Sequence, residues 1–343
     1  MPSNSQNAGV KVLADRLGLS KATVSKALNG YPQVSEATRR KVLDAAAQLG
    51  YPVQGNASVS VGARKRVGWI YRTDSRTPGT TQLIACSGFQ RTAQDLKDSN
   101  MDVLMLPLFL DTPEKTLLEL ITENHLDGAF LSDIKQNDVF FEEAKEVNVP
   151  LVFWGLPLTE ERSNYGFVAY DSVSGVSMAM KHLLDLGHRR IGFLNGNRPA
   201  HVSMERLDGY MLALAHAGIS YDPSLTWEGD YTFACGAPAL EFFLQKGVTA
   251  VCCASDKMAI GLAHAAQQRG IAIPEDLSIV GYDNDPVCSS MFPQLTTVAQ
   301  DFFRIGKVTA TLMECLLQGM PVGPVSIPPE LIVRGSTAAP KQK

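Results

Sequence analysis

The sequence predicts an α/β protein with an N-terminal three-helix helix-turn-helix head and two doubly wound parallel-sheet lobes. Three observations carry this. Apolar residues in the first fifty positions recur at helical spacing and are interrupted at Gly18. From Arg66 onward, short apolar runs alternate with helical stretches, the pattern of parallel sheets covered on both faces. Charge divides the same way: residues 1–66 carry ten Lys/Arg and three acids, net +7, so a chain of net charge −4 has a body of −11. A basic head on an acidic body suits phosphate contact at one end only.

In the head, Val10, Leu13, Ala14 and Leu17 make one helical stripe, and Gly18 permits the left-handed stop that follows. Ser20 suits the N-cap of a second helix running to Leu28, with Val24, Ala27 and Leu28 inward and Asn29-Gly30 closing it. Ala14 lets the two helices cross closely. Ser35 is the N-cap expected for a third helix, whose inner stripe is Val42, Ala45, Ala46 and Leu49, with Gly50 at its end. The second helix then presents Ser20, Lys21, Ala22, Thr23, Ser25, Lys26 and Asn29 to a major groove. Lysines can meet guanine or phosphate, hydroxyls and the amide can meet either, and Ala22 or the Thr23 methyl can touch thymine.

In the body, strands are expected at Val67–Tyr71, Val103–Pro107, Gly128–Leu131 and Leu151–Trp154, alternating with helices near Gln82–Lys97, Glu114–Asn124 and Phe140–Glu146. A second series places helices at Met178–Leu186, Met204–Ala217, Ala234–Leu244 and Lys257–Gln268, and strands at Arg190–Leu194, Ala250–Cys253 and Ser278–Tyr282. Ligands of such folds bind beyond the carboxyl ends of the strands. That rule selects Tyr71–Ser75, Ser132-Asp133, Trp154-Gly155, Asn195–Arg206, Ser255-Asp256 and Asp283-Asn284, a set of hydroxyl, carboxylate, amide and aromatic groups suited to a sugar.

Other classes fit poorly. No apolar run approaches a membrane span, and Met1–Gly9 has no secretory apolar segment, so a cytoplasmic location is expected. The six cysteines form no CxxC pair and read as buried free thiols; no metal and no cofactor are expected. Phosphate-binding glycine motifs, the GxSxG elbow and HExxH are all missing, against an enzyme. The C-terminal Ala338–Lys343 has no leucine heptad for a coiled coil.

The head resembles the lactose-repressor (LacI/GalR) family. The likeness lies in Leu13-Ala14, in the run Leu19-Ser20-Lys21-Ala22-Thr23-Val24-Ser25-Lys26-Ala27-Leu28-Asn29, in Val34–Val42 and in Leu49-Gly50-Tyr51. It continues through Gly187–Gly192, Glu205–Tyr210, Ser255–Ala259, Val280–Asp283, Leu295–Gln300 and Val333–Thr337. It implies a periplasmic-binding-protein-like body and a DNA-binding domain at 9–51. A hinge or linker would span 52–64, and an effector-binding and dimerisation domain 65–337. Lobe 1 would take residues 65–171 and 302–328, and lobe 2 residues 172–301 and 329–337, with three crossings between them.

The function implied is a cytoplasmic homodimeric repressor. It would bind double-stranded operator DNA under control of a mono- or disaccharide, such as an α-glucoside. The alternative is a solute-binding protein of sugar transport, which the basic head opposes. The resemblance gives the Lys21 and Ala22 positions much of the operator preference. It gives Arg206 and Asp283 the effector contacts, Tyr231 and Phe302 ring stacking, and Ser132 a polar contact in lobe 1.

Three departures stand out. Ser255 replaces the usual Asn, and Gly155 stands where many members have Asp, with Trp154 beside it as either a stacking face or core. In the hinge, Ala57 keeps its place but Ser58 and Ser60 replace the expected Arg and Leu. Residues 52–62 therefore read either as a hinge helix with Val59 or Val61 as its minor-groove wedge, or as a flexible linker. Asp283 either accepts from sugar hydroxyls or bonds backbone amides, Asp256 reads as a helix cap, and His188 reads as structural, a cation at a helix end.

Overall fold

The structure, a computed structural model, describes residues 12–28, 34–35, 37–38, 40–42, 45, 64–73, 80–96, 100–109, 115–132, 139–155, 162–197 and 200–341. The chain divides into two compact units, Met1–Ala63 and Arg64–Lys343.

In the first unit, α1 covers residues 12–17 and α2 covers Lys21–Leu28; residues 37–38, 40–42 and 45 belong to α3. Gly18 takes φ +65°, and the Leu19 amide donates to the Ala14 carbonyl at 3.0 Å, closing the turn. The Thr23 amide donates to Ser20 Oγ at 3.0 Å and the Thr38 amide to Ser35 Oγ at 3.3 Å, so both hydroxyls cap as their positions suggest. Leu13, Ala14, Val24, Ala27, Val42 and Ala45 form the core, with Leu17, Leu19 and Val34 against it. A core this small gives little stability alone.

The second unit holds two six-stranded sheets. The first is built from β1 (Lys65–Thr73), β2 (Met101–Phe109), β3 (Gly128–Ser132), β4 (Leu151–Trp154), β5 (Tyr165–Tyr170) and β11 (Val325–Ile327), in the order β11-β5-β4-β3-β1-β2. The second is built from β6 (Ile191–Asn195), β7 (Thr226–Glu228), β8 (Ala250–Cys253), β9 (Ser278–Asp283), β10 (Thr296–Ala299) and β12 (Glu330–Ile332), in the order β12-β10-β9-β8-β6-β7. Every pairing is parallel except β10 with β12 at an edge, in keeping with two doubly wound parallel-sheet lobes. The chain passes between the sheets at 170–172, 299–302 and 327–330.

Helices cover the sheets: α4 (Thr80–Asp95), α5 (Leu117–Glu123), α6 (Val139–Ala144) and α11 (Phe302–Leu317) the first, and α7 (Ser172–Asp185), α8 (His201–His216), α9 (Gly236–Gln245) and α10 (Asp256–Gln268) the second. On β1 the period-two alternation is explicit. Val67, Trp69 and Tyr71 enter one core with Phe89 and Phe130, while Ile70 enters the opposite core with Leu120 and Phe140. Helices α4 and α11 touch backbone to backbone, since a Cβ at Gly306 would overlap the Ala85 carbonyl and one at Gly88 the Phe303 carbonyl.

Sequence reading did not assign β5, β7, β10, β11, β12 or α11. It started α7 six residues late, because Ser172–Ser177 is poor in helix formers; Asp171 fixes the start by accepting the Ser174 amide at 2.8 Å. All six cysteines are free; five are buried and Cys315 is half-buried, a partial correction. Among the described residues no helix is long and apolar enough to cross a membrane. His188 is structural, but not as a helix-end cation. Its ring is buried between Thr249 Oγ1 and the Ala338 carbonyl, each at 2.8 Å, and burial lowers its pKa.

Candidate functional site

In the head, α2 is amphipathic by construction. Val24 and Ala27 are fully buried, while Lys21, Ala22 and Lys26 are exposed and Thr23 is half-buried. Ser20 and Thr23 share a hydroxyl–hydroxyl bond of 2.8 Å, so each is held in place beside the two exposed lysines. The Ser25 side chain, Asn29, Ala57 and the whole 52–62 segment lie outside the described residues.

In the body, the clamp is built on the second sheet. Arg206 projects from α8 and is only 5% exposed. Its Nη1 donates to the Ala254 carbonyl, its Nη2 lies 3.6 Å from Asp283 Oδ1, and its guanidinium stacks over the Tyr282 ring at 3.9 Å. A buried guanidinium is tolerable only with such partners. Its Nε has no protein partner.

Asp283 ends β9 with φ +114° and Asn284 follows at φ +56°, both costly for non-glycine residues. The Arg334 Nη2 donates to Asn284 Oδ1 at 2.7 Å and its Nη1 to the Leu295 carbonyl at 2.7 Å, so the turn is braced from β12's exit. The Asp283 carboxylate meets Arg206, not backbone amides. Burial raises its pKa to about 7, against the lowering pull of Arg206, and Asp256 pushes it further up.

The other positions fall as follows. Tyr231, at φ +64°, bonds Ser203 Oγ through its hydroxyl at 2.6 Å, and its ring occupies the space a Cβ on Gly196 would need. Ser255 is the true N-cap of α10, accepting the Met258 amide at 3.3 Å, so one of its lone pairs is already used. Asp256 is therefore not the cap. It accepts the Asp285 amide at 2.7 Å and Thr297 Oγ1 at 2.6 Å, and burial raises its pKa to about 6.

On the first sheet, Ser132 is fully buried and donates to Gln82 Oε1 at 3.2 Å, which also takes Trp69 Nε1 at 2.7 Å. Trp154 is half-buried, with Phe130 stacked at 6.2 Å and Phe302 edge-on at 5.8 Å; Phe302 itself is 8% exposed. Arg206, Asp283 and Tyr231 thus share lobe 2, while Trp154, Phe302 and Ser132 share lobe 1. Sequence reasoning missed Tyr282 under the guanidinium, the Arg334 brace and Gln82. Only Tyr282 carried a signal, its place beside Asp283.

The raised carboxyls make stability pH-dependent with a definite sign. A carboxyl near 7 in the folded chain and about 3.9 unfolded binds its proton more tightly when folded. Its stabilising contribution is complete below about pH 4 and is lost as pH rises through 7. Tm is expected to be higher at pH 5.5 than at pH 8 for this reason, and Asp283→Asn to flatten that slope; an unaltered slope in a pH series of melts would refute it.

Residues 11–54 match the model of the bacterial regulatory proteins, lacI family, and residues 180–337 that of a periplasmic binding protein-like domain. The chain is 34% identical over 97% of its length to the HTH-type transcriptional repressor CytR of Escherichia coli (strain K12), covering 97% of that protein. It is 29% identical to the HTH-type transcriptional regulator CelR of Thermobifida fusca, covering 95% and 97%. Among solved structures, a transcriptional regulator CelR–cellobiose complex superposes with TM-score 0.70 at 27% identity, over 95% of this chain and 99% of that one. A LacI family regulator from Enterococcus faecium with bound ribose gives 0.66 at 25%, over 81% and 100%.

Head, two-sheet body and these likenesses define the class: a DNA-binding transcriptional regulator with a periplasmic-binding-protein-like body. The chain belongs to the lacI family of bacterial regulatory proteins.

Proposed function

We propose that the chain is a cytoplasmic repressor. It binds a palindromic operator as a homodimer through its 9–51 head and a 52–64 connection. It releases or tightens on that operator when a neutral sugar enters between the lobes of the 65–337 domain. The observation that carries this is the pairing of buried Arg206 with half-buried Asp283 at the carboxyl end of the second sheet, where a guanidinium and a carboxylate together suit vicinal hydroxyls. Tyr231 and Trp154 supply aromatic faces, while Ser132, Ser255 and Phe302 act from the buried walls. The relatives with cellobiose and ribose support a mono- or disaccharide; an α-glucoside fits the same groups.

A dimer suits a two-fold operator. Exposed Phe233 and Phe292, at 48% and 89%, leave apolar surface beside α10 for a second copy.

The test is a thermal-shift series with maltose, cellobiose and ribose. A ligand at 100 times its Kd is expected to add about 2.7 kcal/mol. The same sugar must then change operator retention in a gel-shift titration. No shift with any neutral sugar would remove the sugar reading.

A further inference from the structure

Tyr282 joins the clamp to the places where the chain passes between the lobes. It precedes Asp283 on β9 and carries the Arg206 guanidinium on its ring. Its far end runs away from the clamp and under the first turns of α7. There a Cβ at Gly175 would overlap its hydroxyl, so the glycine is what admits the ring tip. Ser172 and Gln300 lie beside the same hydroxyl. Ser172 opens α7 directly after the first crossing, and Gln300 sits in the second.

Tyr170, the last residue of β5, enters this spot from lobe 1. Its ring meets Phe302 edge-on at 6.3 Å, and Asp301, Arg304 and Tyr282 all lie within electrostatic reach of its hydroxyl. Both tyrosines are buried, at 6% and 0% exposed.

Neither hydroxyl completes a hydrogen bond of good geometry, although Ser172 and Gln300 are close. A buried hydroxyl without a partner is unfavourable. Tyr170 moves with lobe 1 and Tyr282 with lobe 2. Crossing segments are where a change of lobe angle is absorbed by the backbone. Groups on either side of such a hinge change their separation with the angle.

We propose that Tyr282 is a positioning residue tying the effector clamp to the crossings. The Tyr170 and Tyr282 hydroxyls, unpaired at this lobe angle, gain partners when the lobes rotate and so favour that rotation. This rests on the reading that the lobes rotate about an effector. Arg206 drawn toward a ligand shifts the ring beneath it, and that ring bears on α7 at the crossing. An equilibrium bias of roughly 5–150-fold would match ordinary allosteric coupling.

The test needs no ligand. Tyr170→Phe and Tyr282→Phe are made in the full chain, singly and together, and followed by thermal melts and amide hydrogen exchange. A tyrosine with a sound hydrogen bond loses stability on this change, whereas an unpaired one gains. Each single variant is expected to raise Tm by roughly 1–4 °C. Exchange at residues 170–173 and 299–303 is expected to slow several-fold as the rotated arrangement is visited less. Tyr282→Leu, which removes the surface under Arg206, is expected to lower Tm instead. A fall in Tm for Tyr282→Phe, or unchanged exchange at both segments, overturns the proposal. Since no sugar enters, a failed sugar screen refutes the effector reading separately and leaves this outcome legible.

Discussion

Arg206→Ala is expected to abolish the effector response and to cost the body about 2 kcal/mol. The stability loss follows from burial. The guanidinium is 5% exposed, and removing it leaves the Asp283 carboxylate without its opposite charge and the Ala254 carbonyl without its donor. Leaving a buried acceptor unpaired costs roughly 1–3 kcal/mol, and half-buried Asp283 avoids the larger cost of a stranded charge by taking up a proton. The response is lost for two reasons acting together. The donor fork disappears, and Asp283, already raised to about 7, rises further and protonates at neutral pH, so the acceptor goes as well.

Arg206→Lys keeps the charge but not the fork, and should restore stability better than it restores binding. Operator retention without sugar should stay within a few-fold in a gel shift, because α2 belongs to a separate compact unit. Sugar response in the Ala variant, or loss of operator binding with the head still folded, would make Arg206 a structural residue only.

Replacing Lys21 and Ala22 is expected to change which operator is selected while leaving the melting of the head within about 0.5 kcal/mol. Both side chains are exposed, and neither belongs to the Leu13–Ala14–Val24–Ala27–Val42–Ala45 core. Direct base contacts discriminate by about 1–3 kcal/mol each, so selection from a random duplex pool should shift at one or two positions per half-site. Lys26→Ala is expected to behave differently if it meets phosphate, weakening all sequences alike and reducing the salt slope by about 1. An unchanged selected sequence in the Lys21/Ala22 variant would put specificity elsewhere.

The same carboxyl works in opposite senses on folding and on ligand. Protonated Asp283 favours the folded chain, whereas a sugar hydroxyl needs the carboxylate as acceptor. Sugar affinity should therefore weaken as pH falls through about 7, while stability rises.

Much of this was legible before any coordinates. The Gly18 stop, the Ser20 and Ser35 caps and the inward Val24 and Ala27 depend on spacing along one helix, and local spacing is what a sequence writes most plainly. Strands β1, β3, β4, β8 and β9 were readable because each is a continuous apolar run. Strands β7, β11 and β12 were not, because three residues carry no period and are held by their neighbours in the sheet.

What the sequence by itself determined is the kind of protein: a basic helix-turn-helix head, an α/β body and a list of polar groups at strand ends. Those follow from residue type and periodicity. What only the tertiary structure decided is what each group is doing. Ser255 turned out to cap a helix, and Asp256 to brace a neighbouring loop. Tyr282 lies between Arg206 and the lobe crossings. Hydrogen-bond partners, burial and the shifted carboxyls arise from residues tens to over a hundred positions apart, and no local pattern records which of them will meet.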